Sequence, residues 1–128
     1  MELAELQELF NTHKNIFATT KLLNKHKNIY LKGLKGSADA MTAAALFGKS
    51  RENFLYVLND DESAAYFYHD LNQILGPEEV LFFPSAYKRA IKYGQIDAAN
   101  EILRTEVMSR MQIPNQRFII VTSPEALA

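Results

Sequence analysis

Two kinds of hydrophobic spacing alternate along the chain. In several stretches apolar residues recur every three or four positions, as on one face of a helix, and short unbroken apolar runs lie between them. The helical spacing predicts two helices before residue 24 and further helices after Ser37, after Glu62 and from Asp97. The apolar runs predict four strands, at residues 28–34, 54–58, 80–83 and 118–121.

The order of these elements indicates an α/β fold. Strands that alternate with helices, and whose apolar runs show no polar alternation, are typical of a parallel sheet covered by helices on both faces. We therefore expect a three-layer parallel sheet flanked by helices, with two N-terminal helices in addition and with the strand at 54–58 buried on both faces. Ligands of such sheets bind beyond the carboxyl ends of the strands, so the candidate positions are residues 33–40, 59–62, 84–87 and 122–125.

Length and composition limit the class of protein. The 128 residues suit one domain, 1–128, with a single hydrophobic core. No apolar run is long enough to cross a bilayer, and the absence of cysteine, which excludes disulfides and thiolate metal sites, fits a cytoplasmic location. Ser123 and Pro124 open one more helix just before Ala128. Because the chain ends as this helix begins, we expect it to be a piece of a longer protein.

Charge is unevenly distributed although it nearly cancels. The formal net charge is −1, which gives no general attraction to nucleic acid. Lys and Arg outnumber Asp and Glu by eight to four in residues 1–51 and are outnumbered by six to eleven in residues 52–128. Ordinary variation between helix surfaces is the favoured explanation. The alternative is a modest basic patch formed by Lys21, Lys25, Lys27, Lys32 and Lys35.

The stretch that begins at Gly33 has the layout of a phosphate-binding loop, because an apolar run leads through glycines into a helix of small residues. The P-loop pattern G-x-x-x-x-G-K-[ST] needs its second glycine, its lysine and its hydroxyl residue to hold phosphates and Mg²⁺. The first glycine, Gly33, is present, Gly36 suits the turn, and Ser37 is suited to cap the helix. The other three positions carry Ala38, Asp39 and Ala40. The carboxylate at the lysine position would repel a phosphate by about 4 kcal/mol at ~4 Å and an effective dielectric of about 20. We therefore expect a degenerate loop without nucleotide.

An acidic stretch at residues 59–62, Asn-Asp-Asp-Glu, follows the second apolar run. Strand-end carboxylates of this kind hold Mg²⁺ in Walker B motifs and in receiver domains. A receiver domain would also carry its acidic pair after the first strand and a lysine at a later strand end, and no strand here ends in lysine. Acids at the start of a helix give the same pattern because they favour the helix dipole. We therefore interpret these residues as helix caps.

The remaining polar residues give no catalytic or metal-binding constellation. The histidines are too scattered to place two metal ligands on one helix face: His13, His26 and His69. The hydroxyl residues near the strand ends lack the G-x-S-x-G context of a strained nucleophile: Ser85, Thr122 and Ser123. Arg104 and Arg110 are expected to be ordinary surface charges. No catalytic residue and no metal ligand is therefore predicted.

The chain resembles the N-terminal, UvrB-like region of bacterial transcription-repair coupling factors (Mfd). The resemblance covers nearly the whole chain and is carried by residues 30–47, 54–75, 80–87, 96–111 and 118–127. That region is similar to the first domain of UvrB, the excision-repair helicase subunit, and has a RecA-like fold. UvrB-like proteins have an intact P-loop where this chain has Ala38, Asp39 and Ala40. The few residues between Tyr87 and Ile96 leave no room for the aromatic hairpin with which UvrB clamps damaged DNA.

The resemblance implies a function for the complete protein. In this family it is an ATP-dependent DNA translocase that displaces RNA polymerase stalled at DNA damage and recruits UvrA for nucleotide excision repair. ATP and Mg²⁺ belong to a downstream motor, and the contacts with UvrA, RNA polymerase and double-stranded DNA lie mostly in other domains. This chain is therefore expected to be a non-catalytic scaffold without a cofactor, which contacts neighbouring domains. Two alternatives stay open: a nucleotide-binding helicase domain with an unusual P-loop, and a receiver-like regulatory module that responds to Mg²⁺ at Asp60 or Asp61.

Overall fold

The computed structural model of the protein describes residues 1–86 and 97–128. Contacts between residues divide the chain into two compact units, which we call the N-terminal unit (Met1–Glu52) and the sheet unit (Asn53–Ala128). The N-terminal unit contains three helices, and in the sheet unit strands alternate with helices. The single domain expected over 1–128 stays a prediction.

Helices build the N-terminal unit: α1 (Leu3–Asn11), α2 (Lys14–Leu23) and α3 (Ala38–Lys49). Both predicted N-terminal helices are therefore confirmed, and both pack on α3. A capping box between Glu2 and Glu5 begins α1, and the His13 side chain begins α2 by accepting a hydrogen bond from the backbone N–H of Asn15. The Lys49 ammonium lies 4.2 Å from the centre of the Phe17 ring, which joins α3 to α2. Small side chains let α3 be buried on all sides from Ala40 to Phe47.

The predicted strand at residues 28–34 is wrong. The described chain has no regular secondary structure from residue 26 to residue 35, and most of these residues are exposed. Gly33 has a φ of 93°, which a strand does not accommodate, and Tyr30 is 86% exposed. Lys32 interrupts the apolar run, and Lys27 and Lys35 flank it. Without a buried face to pack, the run does not repay the entropy of ordering it as a strand.

The sheet unit has the architecture expected from the apolar runs. Its strands are β1 (Phe54–Val57), β2 (Val80–Phe83) and β3 (Ile119–Thr122), and its helices are α4 (Asp61–Leu75), α5 (Ala98–Met111) and α6 (Pro124–Leu127). All strand pairs are parallel, and the order of the described strands across the sheet is β1-β3-β2. Three of the four predicted strands are thus confirmed, within an α/β fold whose parallel sheet is flanked by helices.

Helices α4 and α5 give the sheet unit its core. The central strand β3 is buried along its whole length. Helix α4 packs on β2 and β3, and its Phe67 and Tyr68 rings contact the rings of Tyr56 and Phe82 at centroid distances of 5.1 and 5.2 Å. A second apolar cluster links α5 to the strands through Leu81, Val107, Phe118 and Ile120, with Phe83 packed against it.

Strand β1 is buried on one face only, which corrects the prediction that both faces are covered. Phe54 and Tyr56 are half-buried, whereas Leu55 and Val57 are 59% and 50% exposed. The physical reason is the position of β1 at an edge of the sheet, since α5 contacts β2 at the opposite edge. An unbroken apolar run is therefore compatible with an edge strand when only one of its faces meets a helix.

Burial of Tyr56 predicts a loss of stability in alkaline solution. Burial raises the pKa of the Tyr56 phenol from 10.0 to about 12, so the folded chain favours the neutral form. Stability is complete below pH 10.0 and falls as the pH rises through about 12, by on the order of 2 kcal/mol. Urea unfolding followed across this window should show the loss.

The Tyr56→Phe variant should remove most of this dependence, whereas Tyr30→Phe, at an exposed position, should leave it unchanged. Tyr68 remains a common background in both variants, because burial and then the Glu106 carboxylate raise its pKa as well. Equal alkaline slopes in the two variants would contradict the prediction.

Candidate functional site

The glycine segment forms a tight turn into α3. Gly36 has a φ of 60°, and the backbone carbonyl of Lys35 accepts a hydrogen bond from the N–H of Ala38 at 3.1 Å. Ser37 precedes α3 as predicted, but its side chain makes no capping hydrogen bond. The reason is the backbone at Ser37, whose φ and ψ of −74° and 0° differ from the extended conformation that lets a serine cap a helix.

A carboxylate occupies the start of α3, where a phosphate would lie in a working loop. The Asp39 Oδ1 atom accepts a hydrogen bond from the N–H of Ala40 at 2.7 Å. Ala40 is fully buried and has no hydroxyl for Mg²⁺, and Ala38 replaces the glycine that would let the backbone approach a phosphate. The strand that should feed a P-loop is missing from the described residues before the turn. The degenerate loop without nucleotide stays a prediction.

The acidic stretch after β1 supports α4 and also reaches across the sheet. The Asp60 Oδ1 atom accepts a hydrogen bond from the N–H of Ser63 at 2.7 Å, which confirms the predicted cap. Asp61 accepts hydrogen bonds from residues beyond the other two strands. Its Oδ2 atom accepts a hydrogen bond from the N–H of Ser85 at 3.2 Å, and its Oδ1 atom accepts one from the Ser123 hydroxyl. One carboxylate therefore joins the ends of all three described strands.

Other polar side chains extend this network, which we call the strand-end cluster: Asp61, Ser85, Asn100, Thr122 and Ser123. The Thr122 hydroxyl donates to the carbonyl of Phe83 at 2.8 Å, and the Asn100 amide donates to the carbonyl of Ser85 at 3.0 Å. Thr122 and Ser123 are fully buried. These hydrogen bonds hold the ends of the described strands together.

Arg104 is not an ordinary surface charge, which corrects its prediction, whereas the hydrogen bonds of Arg110 lie at the surface. The Arg104 guanidinium donates to the carbonyls of Pro84 and Ala126 at 2.9 Å each and lies 4.2 Å from the centre of the Phe83 ring. Arg110 donates to the carbonyl of Glu78 at 2.7 Å and to the Gln116 side chain at 3.2 Å. Both arginines therefore satisfy loop carbonyls at the ends of elements, which is a common use of the guanidinium fork.

The structure does not bring the remaining candidate residues together into a site within the part of the chain that it describes. Within residues 1–86 and 97–128, His, Asp and Glu side chains form no group of three that could hold a metal ion. His13 is a helix cap, whereas His26 and His69 are exposed. Tyr87 and the stretch to Ile96, where the damage-clamping hairpin was predicted to have no room, lie outside the described residues.

The candidate ranges 59–62, 84–87 and 122–125 contain every member of the strand-end cluster except Asn100. The sequence does not predict the contact between Asp61 and Ser123, which lie sixty-two positions apart in the chain. The usable signal was indirect: both residues directly follow predicted strands, and the carboxyl ends of parallel strands meet at one edge of a sheet. A strand order was needed to pair them.

Comparison with known proteins gives no relative. No protein-family model matches the chain, and no curated protein or solved structure matches it either. Among the described residues every helix is too short or too polar to cross a bilayer.

Proposed function

We propose that the chain is a non-catalytic scaffold and interaction domain of a transcription-repair coupling factor, with a RecA-like, UvrB-like fold. The observation that carries the proposal is the carboxylate of Asp39 at the start of α3, hydrogen-bonded to Ala40 at 2.7 Å. In a RecA-like domain this helix start faces the phosphates of ATP. A fixed negative side chain there removes the phosphate attraction, while the parallel sheet of the fold is retained.

The complete protein would then use ATP and Mg²⁺ in a separate downstream motor. It would act as a DNA translocase on double-stranded DNA, displace stalled RNA polymerase and recruit UvrA, mostly through domains other than this one. The proposed contribution of residues 1–128 is a surface for neighbouring domains in a cytoplasmic protein. The parallel sheet flanked by helices is compatible with this ancestry.

The acidic residues after β1 do not favour the receiver alternative. The two carboxylate oxygens of Asp61 accept hydrogen bonds from Ser85 and Ser123, and Asp60 caps α4. A Mg²⁺ ion would have to displace these donors from carboxylates that already stabilise the fold.

A nucleotide titration tests the proposal. Fluorescent ATP with Mg²⁺, titrated to millimolar concentration against the chain, should give no saturable signal, because Asp39 repels phosphate and Ala40 offers no metal ligand. Saturation that depends on Mg²⁺ and is lost in Gly36→Val would overturn the non-catalytic reading. Gly48→Val is the matched control, since Gly48 lies at the other end of α3.

The family assignment has an independent test in the reading frame of the parent gene. Intact helicase motifs downstream of codon 128 are the expected finding. A frame without them contradicts the coupling-factor assignment, whatever the nucleotide titration shows.

A further inference from the structure

Strand β1 lies at an edge of the described sheet, and its backbone pairs with β3 on one side only. The N–H of Leu58 donates to the carbonyl of Thr122 at 2.9 Å, and that of Phe54 donates to the residue before β3 at 3.2 Å. Alternate residues of β1 therefore turn their hydrogen-bonding groups towards β3, and Leu55 and Val57 turn theirs to the opposite side. The described sheet has no strand there. These backbone donors and acceptors are spaced to pair with another extended chain.

Strand β1 carries none of the features that normally keep a sheet edge single. Its four residues include no charge, no proline and no glycine. Leu55 and Val57 are exposed, and Leu55 borders an apolar groove of about 480 Å³ that Met108 and Met111 also line. Edges that stay unpaired usually carry lysine, proline or a bulge, because an apolar edge is a template for another strand. The composition of this edge therefore favours pairing over exposure to water.

The opposite edge of the described sheet is covered, which limits how far pairing can extend. The carbonyl of Glu79 accepts a hydrogen bond from the N–H of Ile119 at 2.8 Å, so the next residue, Val80, turns its backbone away from β3. Val80 is only 1% exposed, and helices α4 and α5 both pack on β2. A sheet with one open edge forms a closed dimer about a two-fold axis and does not grow into a fibre.

We propose that the open edge of β1 pairs with the same edge of a second copy of the chain, in antiparallel orientation. A two-fold axis beside Tyr56 places Leu55 of one copy opposite Val57 of the other. Each such pair exchanges two backbone hydrogen bonds, and its side chains meet as an apolar cross-strand pair. The edge is therefore complementary to itself, and the inference does not rest on the family assignment.

Charge does not oppose the pairing of two identical edges. In this register residue 53 lies opposite residue 59, and the stretch 53–59 contains no Asp, Glu, Lys, Arg or His. Like charges opposite each other, which destabilise a strand pair, are therefore absent from the paired stretch. A second copy is favoured over a different protein because the chain itself specifies both sides of every contact in this arrangement.

Analytical ultracentrifugation of the full chain tests the inference. The weight-average mass should rise from that of one chain towards that of two as the concentration is raised from about 5 to about 500 µM, because a short edge gives a weak dimer. Val57→Lys should raise the dissociation constant about tenfold or more, because it places a charge opposite Leu55 of the other copy.

Ile102→Lys is the matched control for this variant. It introduces the same charge at an apolar position that is 70% exposed but belongs to α5, so it should change the dissociation constant by less than about twofold. Far-UV circular dichroism checks that both variants are folded.

Cysteine pairs test the orientation of the two strands, since the chain has no cysteine of its own. A mixture of Leu55→Cys and Val57→Cys chains should form the mixed disulfide, because these positions face each other with Cα atoms about 5.5 Å apart. Either variant alone should cross-link about fivefold less or weaker still, because the same position in the two copies is a diagonal neighbour at about 7–8 Å.

Several results would overturn the inference. They are a chain that stays monomeric at about 500 µM, a dimer that Val57→Lys and Ile102→Lys weaken equally, equal cross-linking in the mixture and the single variants, or assembly beyond a dimer. Binding of an extended apolar peptide by a chain that does not dimerise would assign the edge to a different protein.

Failure of this inference differs from failure of the proposed function. A monomeric chain that binds no ATP contradicts only the dimer, whereas a dimer that binds ATP contradicts only the non-catalytic role.

Discussion

Replacing Leu71 by alanine is expected to lower the free energy of unfolding of the sheet unit by about 2–5 kcal/mol. Leu71 is fully buried and lies on the same helical stripe as Ala64 and Phe67, in the helix that packs on β2 and β3. Truncation removes the transfer free energy of the lost carbons and leaves a cavity that the sheet cannot close, because its strands are fixed by their hydrogen bonds. Urea unfolding monitored by circular dichroism gives the measurement.

Tyr66→Ala is the control for this substitution. Tyr66 belongs to the same helix and is 68% exposed, so its removal should change the free energy of unfolding by only about 0.5 kcal/mol. Similar effects of the two substitutions would show that α4 does not pack through the stripe that contains Leu71.

Replacing Asp61 by alanine is expected to cost roughly 2–4 kcal/mol of stability, more than the loss of a helix cap. The Asp61 carboxylate accepts hydrogen bonds from the Ser85 N–H and the Ser123 hydroxyl, and Ser123 is fully buried. Hydrogen bonds to a charged group contribute about 1.5–3 kcal/mol, and an unpaired buried donor adds its desolvation cost. The same urea experiment measures the difference.

Asp97→Ala is the matched control, because it removes an aspartate of equal charge that also accepts two hydrogen bonds. Those bonds come from the N–H groups of Ala99 and Asn100 at the start of α5, so the loss is that of a cap, about 0.5–2 kcal/mol. An Asp61→Ala effect no larger than that of Asp97→Ala would contradict the role given to the strand-end cluster.

Local pattern was sufficient for the elements whose burial follows from their own sequence. The runs at 54–58, 80–83 and 118–121 are rich in β-branched and aromatic residues, and each gives a strand within one residue of the predicted bounds. Asp60 and Asp97 cap α4 and α5 because a short acidic side chain before an apolar stripe specifies a helix start without long-range help. These predictions needed only neighbours in the chain.

Predictions failed where distant residues decide the outcome. The run at 28–34 has strand-forming side chains, but a strand also needs a neighbouring strand and a buried face. Tyr30, in the middle of the run, is 86% exposed, so the run has no buried face at this position. Helical spacing predicts that Arg104 lies at the surface, whereas its hydrogen-bond partners, the carbonyls of Pro84 and Ala126, lie twenty or more positions away in the chain. Side-chain partners across a sheet become predictable only after the strand order is known.

The position of β3 has a consequence for how the chain is made. It is the last of the three described strands to be synthesised, yet it lies between the other two, and β1 and β2 do not pair with each other. As the chain leaves the ribosome, the apolar strand Val80–Phe83 therefore emerges long before its hydrogen-bonding partner exists. None of the strand pairs of this sheet can therefore form before β3 has been synthesised, and until then both outer strands lack their hydrogen-bonding neighbour.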